Sequence, residues 1–548
     1  MILNNYRVQS FSKYDKWCLL SLTVIGAVIR IIYHNNRPFV NDEIGTLIYM
    51  EKSVTFILSH FESWLTMNYF ILVEKFMAYV FGHSQISLCL IPMVASIITI
   101  PLTAVLARMV TSTKVSLISA ALVAMNPYLI YFSGIIRSYS LLTALSIIVI
   151  IVYFRWYSHR TYKNGLYVSL ACYALLLSHL NGMYIVSYIM LRSCVDLLWT
   201  FKKGQKSNIL TLVIPLGVCV LAAGISYVKI FPEMLVWGVQ WHDTSPTGVA
   251  YIPLMLSRYF ADGYYGWLSA GLLISSIFIA YKHSMSVIEL LPIIVLPILL
   301  ISIQGISHFP WAYARFLIFA VPILVIFIAE GICFYAGRFV HMTTLATCAV
   351  TIVLIITWVP NLQNMFNRKW AYPWNQVGSF INSTYQENDI ILYSGWNISH
   401  HMYPYLSTAN YAKFMLIDYS EKDYKNINGK VFFITTKPFV NSQDCPGYTF
   451  GNIKIILYSQ QSYMQLLVTI RNDILASIKP GEVSPDLTDC YKDIWELNKK
   501  VNPESNYLMY YQLYMLCLNL TERQRNIPHA LECWESESMA KLIMNRAQ

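Results

Sequence analysis

The sequence predicts an α-helical polytopic membrane protein followed by an extracytoplasmic α/β domain, and three observations predict it. Of 548 residues, 56% are hydrophobic and 12% charged, with a mean hydropathy of +0.47, whereas soluble proteins carry about 25% charged residues. The apolar residues gather into long runs, and an α-helix needs about 20 of them to cross a roughly 30 Å hydrocarbon core. The runs end near Val359-Pro360, after which charge and turn residues return to the density of soluble protein.

The apolar runs cover residues 17–33, 86–107, 115–134, 138–154, 165–184, 185–200, 209–230, 267–281, 287–303, 316–335 and 342–358, which predicts about eleven transmembrane helices. The first is not a cleavable signal peptide, because Arg30 lies inside it and no small-residue cleavage site follows. Residues 1–358 therefore form a membrane domain and 359–548 a separate outer domain.

Positive residues of short loops collect on the cytoplasmic side. With the N-terminus inside, the inner segments carry Arg7, Lys13, Lys16, Arg108, Lys114, Arg155, Arg160, Lys163, Lys202, Lys203, Lys206, Lys282 and Arg338. The outer segments are mixed, with Asp42, Glu43, Glu51, Glu62, Glu233, Asp243 and Asp262 beside Arg37, Arg137, Arg258 and Arg315. An odd number of spans then leaves the C-terminal domain outside. Topology accounts for the net charge of +10, and no basic stripe interleaved with aromatics points to nucleic acid.

The first outer loop, residues 34–85, is long and apolar for a connection. Its stretches 44–60 and 64–81 are aromatic-rich and broken by charges, as in helices lying along a membrane surface. A span over 69–81 is the alternative, and it would place most Lys and Arg outside. At the head of this loop stand two acids, Asp42 and Glu43. A carboxylate pair just outside the bilayer can take a proton from a substrate that arrives through the lipid. The pair also precedes Ile44-Gly-Thr-Leu-Ile, so both acids can cap a surface helix; the two roles are compatible.

Other outer-edge residues carry a chemical and a plain reading side by side. Arg137 and Arg315 each sit at an outer junction of spans, where a guanidinium binds a phosphate through two parallel hydrogen bonds or snorkels to the interface. His179, in Ser178-His179-Leu180, is near an outer span end, either packed or functional. Trp237, Gln240, Trp241, His242 and Asp243 suit a sugar ring and equally fit an interfacial aromatic belt.

The order of an acidic pair after the first span, Arg137-Ser-Tyr139, Ser178-His179-Leu180 and Arg315-Phe316-Leu317 before Pro322 resembles the GT-C glycosyltransferases. Within them it is similar to the branch of protein O-mannosyltransferases, the lipid A aminoarabinose transferase and the lipopolysaccharide-core galacturonosyltransferases. The likeness covers residues 17–358 and 374–393. It implies catalytic acids at Asp42 and Glu43, donor-phosphate binding at Arg137 and Arg315, and substrate contacts at Tyr139, His179 and Tyr69, to which the aromatic cluster read above adds Trp241 and His242 as substrate contacts. It further implies a polyprenyl-phosphate sugar donor, an acceptor hydroxyl on a glycan, lipid or protein, and inversion at the anomeric carbon, with a divalent metal as an optional cofactor. Two departures stand out. The family's His-Pro-Pro-Leu-Tyr falls near Thr66-Met-Asn-Tyr69-Phe70 without its histidine and prolines, and an arginine at the start of the next span is replaced around Cys89.

In the outer domain, short β-rich runs at 390–394, 413–418, 430–435 and 453–459 alternate with helical stretches, which predicts a small α/β unit; after about residue 460 the pattern is helical. It holds no phosphate loop, no metal-spaced cysteines and no Ser/His/Asp signature. Of the 11 cysteines, Cys445, Cys490, Cys517 and Cys533 fall on the predicted outer side, where disulfides form. Asn382-Ser-Thr, Asn397-Ile-Ser and Asn519-Leu-Thr are glycosylation sequons in a eukaryotic host. The absence of a retention signal favours a bacterial inner membrane. A lipid flippase or transporter would instead show inverted repeats and mid-span charges, and a polysaccharide polymerase or ligase would carry its main outer loop late in the chain.

Overall fold

The computed structural model describes residues 10–34, 37, 39, 41–59, 68–82, 84–202, 210–228, 259–260, 264–283, 285–306, 314–338, 343–371, 374–386, 389–393, 402, 405, 414–416, 430–435, 447–450 and 453–458. The Trp237–Asp243 cluster, the four outer cysteines, the sequons at Asn397 and Asn519 and the helical region after 460 lie outside these residues. Contacts divide the chain into two units, one of Met1–Arg37 with Gly45–Asn367 and one of Pro38–Ile44 with Arg368–Gln548.

The first unit is helical. Its elements are α1 (Lys13–His34), α2 (Asn41–Met50, whose first turn belongs to the second unit), α3 (Val54–Ser59), α4 (Asn68–Phe81), α5 (Gln85–Leu88), α6 (Leu90–Val110), α7 (Thr113–Met125), α8 (Pro127–Ser133), α9 (Tyr139–Ser158), α10 (Tyr162–Ser178), α11 (Met183–Lys202), α12 (Leu210–Tyr227), α13 (Tyr264–His283), α14 (Met285–Ile288), α15 (Leu291–Ile306), α16 (Ala320–Gly337) and α17 (Thr343–Ala371). Among the described residues, seven helices are long and apolar enough to cross a membrane, or eight if the bent pair α7–α8 is one span. The remaining expected spans coincide with the 17-residue α10, the 20-residue α13 and the 16-residue α15. The expected domain boundary at 358/359 falls inside α17, which runs unbroken through Pro360.

Helix α16 is buried on nearly every side and packs on α6, α7 and α13, as a helix apolar all round must. By contrast α1 and α12 expose Val24, Ile25, Ile32, Val218, Leu221 and Ile225, the pattern of lipid-facing surfaces. The axis bends by 56° between α7 and α8, and the sequence shows why. Pro127 has no N–H to give the carbonyl four residues earlier, and Asn126 caps the new helix by accepting from Leu129 N at 3.0 Å. The carbonyls released at Val123 and Ala124 take the Arg30 guanidinium instead, at 3.2 and 2.9 Å; Arg30 also reaches Gly26 O and Ser96 Oγ. Polar backbone exposed inside a membrane needs such a partner.

In the second unit, helix α18 (Trp374–Thr384) places Trp374, Val377, Gly378 and Ile381 on one buried face, the spacing of an amphipathic helix. This face packs on Ile391, Phe432, Ile434, Ile453, Ile455 and Leu457 of a five-stranded sheet. Strands β1 (Ile390–Tyr393), β2 (Phe414–Leu416), β3 (Val431–Thr435), β4 (Gly447–Phe450) and β5 (Ile453–Tyr458) lie in the order β2-β1-β3-β5-β4. The β2–β1–β3 pairs are parallel and the β3–β5–β4 pairs antiparallel, with Ile391 opposite Phe414 and Phe432, and Phe433 opposite Ile456. Asp389 fixes the entry to β1 by accepting from Gln386 N at 2.9 Å and Lys430 N at 2.7 Å. The residues before α2 join this unit through Phe39, whose N–H donates to the Tyr405 hydroxyl at 3.0 Å and whose ring stacks on Tyr405 at 5.9 Å. Tyr405 O in turn accepts from Asn382 Nδ2 at 2.8 Å.

Candidate functional site

In the first unit, three helix junctions bring four of the singled-out residues together. Helix α8 stops at Ser133 with Gly134 as its cap, and α9 begins at Tyr139; Arg137 lies in the short loop between them, 2% exposed. Helix α10 ends at Ser178, and His179 leaves it in extended geometry before the 3-10 turn Leu180–Gly182. Tyr139 and His179 are both buried, their ring centroids 5.6 Å apart. Arg315 lies in the 3-10 turn Ala314–Leu317 ahead of α16, and the charges of Arg137 and Arg315 both act on His179.

The tautomer of His179 follows from its backbone. Its Nδ1 accepts from Asn181 N at 3.1 Å, so in the neutral ring the proton sits on Nε2, a donor. Arg137 and His179 are both buried, and in such a setting charge-assisted hydrogen bonds to an anion gain strength.

An apolar groove of about 380 Å³ begins next to His179, lined by Leu176, Leu180, Val220, Ala223, Gly224, Tyr227 and Val228 of α10, the 3-10 turn and the end of α12. Tyr69 stands at this groove. Its ring meets Tyr227 edge-on at 5.9 Å and its hydroxyl donates to Ser226 O at 3.4 Å, while Tyr227 donates to Leu176 O at 2.9 Å. Tyr69 thus braces α4 against α12.

Asp42 and Glu43 occupy the first turn of α2, where the helix dipole favours negative charge. Glu43 is fully buried. Further along α2, Thr46 Oγ1 donates to Ile136 O at 3.1 Å, beside Arg137 in sequence. Trp241 and His242 lie outside the described residues. Among the described residues there is no group of three His, Cys, Asp or Glu side chains able to hold a metal.

One titration is distinctive outside the spans. Glu74, on the buried face of α4 with Phe70, Ile71 and Ala78, is withdrawn from water, and burial pushes its carboxyl up to about 8. Sequence reasoning missed this burial, and it also missed Arg30, Arg37 and Thr46. The signal for Arg30 was present in Pro127, whose lost N–H demands a donor elsewhere; Arg37 and Thr46 act through backbone carbonyls of a distant loop, which no local pattern announces.

No family model matches the sequence, and no curated protein does. Among solved structures, the chain is similar to ArnT from Cupriavidus metallidurans in the apo state, with a TM-score of 0.50 and 11% identity over 82% of this chain and 99% of that one. ArnT bound to undecaprenyl phosphate gives the same TM-score at 9% identity, over 81% and 98%. The archaeal oligosaccharyltransferase AglB from Archaeoglobus fulgidus scores 0.44 at 12% identity, over 77% and 70%. The chain thus carries the fold of ArnT across almost the whole length of that protein.

Proposed function

We propose that the protein is an inverting glycosyltransferase that moves a sugar from a polyprenyl-phosphate donor to an acceptor hydroxyl at the outer face of the membrane. The observation that carries this reading is the convergence of Arg137, His179 and Arg315 beside an apolar groove, a pairing of anion cradle and chain-sized cleft that fits a lipid phosphate. The fold it shares with ArnT, whose structure has been solved with undecaprenyl phosphate, supports the same choice of donor.

The residues divide the work as the chemistry requires. The phosphate of the donor is already a competent leaving group, so catalysis consists of removing the acceptor proton and neutralising the departing charge. In this reading Asp42 takes the hydroxyl proton, the acceptor oxygen bonds to the anomeric carbon from the side away from the phosphate, and the carbon–oxygen bond to phosphate breaks. Polyprenyl phosphate departs onto Arg137 and Arg315, with Nε2–H of His179 as a further donor and Tyr139 packed on that ring. Glu43 orients the acceptor or supports Asp42, Tyr69 lines the chain's path, and Trp241 and His242 contact the sugar. The acceptor is a glycan, lipid or protein hydroxyl, a divalent cation near the acids would act as an accessory, and the setting is a bacterial inner membrane with the N-terminus inside.

Purified Asp42→Asn protein in detergent, assayed with lipid-linked sugars, is expected to lose turnover by roughly 100-fold or more, the scale of general-base catalysis; near wild-type turnover removes Asp42 from this role. Arg137→Ala is expected to weaken undecaprenyl phosphate binding by about 10–100-fold, the worth of a hydrogen bond to a charged group, and unchanged affinity leaves Arg137 a snorkelling residue.

A further inference from the structure

The loop that presents Arg137 has carbonyls that no helix consumes, and two of them are held from one short stretch of chain. Gly134 O accepts from the Arg37 guanidinium Nη2 and from Cys89 Sγ at 3.2 Å. Ile136 O accepts from Thr46 Oγ1 at 3.1 Å. The two anchored carbonyls both precede Arg137, one by three residues and one immediately. Arg37 and Thr46 are themselves held firmly. Arg37 is 4% exposed and Thr46 fully buried, and Gln85 Nε2 donates to Arg37 O.

Space is as tight as the hydrogen bonding. A Cβ at Gly134 would stand 3.1 Å from Arg37 Nε and 3.4 Å from His34 Nδ1, so the loop lies directly on the guanidinium. A Cβ at Gly45 would stand 3.5 Å from Arg137 Nη2. The backbone of α2 is therefore in reach of the Arg137 head group itself. In sequence, Arg37 and Thr46 bracket Asp42 and Glu43.

We propose that Arg37 and Thr46 are positioning residues that clamp the loop 134–138 and so fix where the Arg137 guanidinium meets a lipid phosphate. The inference rests on the reading of Arg137 as a phosphate ligand and extends it. Neither residue touches the phosphate; each acts through a backbone carbonyl of the loop that carries the residue that does, Thr46 through the one immediately before it and Arg37 through one three residues before it.

The experiment uses the full-length protein in detergent, with undecaprenyl phosphate and undecaprenol as probes. Thr46→Val keeps the volume and removes the donor, and it is expected to weaken undecaprenyl phosphate binding by about 10-fold, the worth of one buried hydrogen bond. Undecaprenol affinity should stay within about 2-fold, since an uncharged chain end does not read Arg137. Thr46→Ser restores the donor and should restore the affinity, and Arg37→Gln should behave as Thr46→Val. In an Arg137→Ala background Thr46→Val should add nothing, because coupled residues are non-additive. Equal losses for both probes, or a loss that persists in the Arg137→Ala background, would show that Thr46 merely supports the fold and overturn the proposal. If Arg137→Ala weakens phosphate binding and neither Thr46→Val nor Arg37→Gln does, only the positioning role falls. If Arg137→Ala itself changes nothing, the phosphate reading of Arg137 falls and the positioning role with it.

Discussion

Burial without a partner sets Glu74 apart from every other described acid: neither carboxyl oxygen has a hydrogen bond among the described residues, and Phe70, Ile71 and Ala78 share its face. Its proton affinity in the folded protein, near 8 against the ordinary 4.5, means that the native state holds a proton that the unfolded chain releases. Stability is therefore highest below about pH 4.5 and falls as pH rises towards 8. Glu74→Gln removes the titration. The gap between variant and wild-type melting temperature should be small at pH 4.5 and widen up to pH 8, as read by differential scanning fluorimetry; a constant gap contradicts the assignment. At this scale the sequence was readable where chemistry is local. Arg137, Tyr139, His179 and Arg315 stood out as polar residues at span ends, and they lie together. Glu74 was readable only as a charge interrupting an apolar stretch, because burial depends on which helix comes to cover it.

Helices were legible as runs and illegible as ends. The apolar stretch 115–134 reads as one span, and Pro127 divides it into α7 and α8 with a 56° bend; the stretch 165–184 is interrupted at His179, where an extended residue starts the 3-10 turn. Both interruptions put polar groups where a continuous helix would have hidden them, and one of them places His179 against Tyr139. The stretch 69–81 forms the 14-residue α4, whose Lys75 donates to Met50 O at 2.6 Å and Lys52 O at 3.2 Å, holding the carbonyl end of α2 where a cation is favoured. Pairing of helices follows small residues. A Cβ on Gly165 would collide with Thr211 O, so α10 and α12 meet backbone to backbone, and they form most of the groove wall. Gly165→Ala should force them apart at a cost of about 1–3 kcal/mol, lowering the melting temperature and weakening undecaprenol binding. Unchanged values for both would show that the groove does not depend on this contact.

For the whole molecule, composition places a change of character near residue 359, whereas the division at Asn367 and the assignment of Pro38–Ile44 to the second unit were beyond it. The reason is that Phe39 pairs with Tyr405, a contact between residues far apart in sequence that leaves no periodic trace. Helix α17 has 29 residues and so spans about 43 Å, more than a hydrocarbon core of roughly 30 Å, and its polar end begins at Asn361. The orientation read from loop charges makes a direct prediction. In a background from which all 11 cysteines have been removed, Ser383→Cys should react with an impermeant maleimide in intact cells, and Lys163→Cys should react only after permeabilisation. The reverse pattern would invert the topology and place the acids inside.

The grip of Arg30 on the carbonyls of Val123 and Ala124 also orders events during synthesis. When α1 enters the bilayer, none of α6, α7 and α8 has been made, and a lone guanidinium in a span is stabilised only by extending to the nearer lipid–water boundary. In the finished protein the same side chain turns inward to Gly26 O and to a bend that does not exist until Pro127 has been translated. Helix α1 can therefore complete its docking only once α6 and the end of α7 are there to receive Arg30.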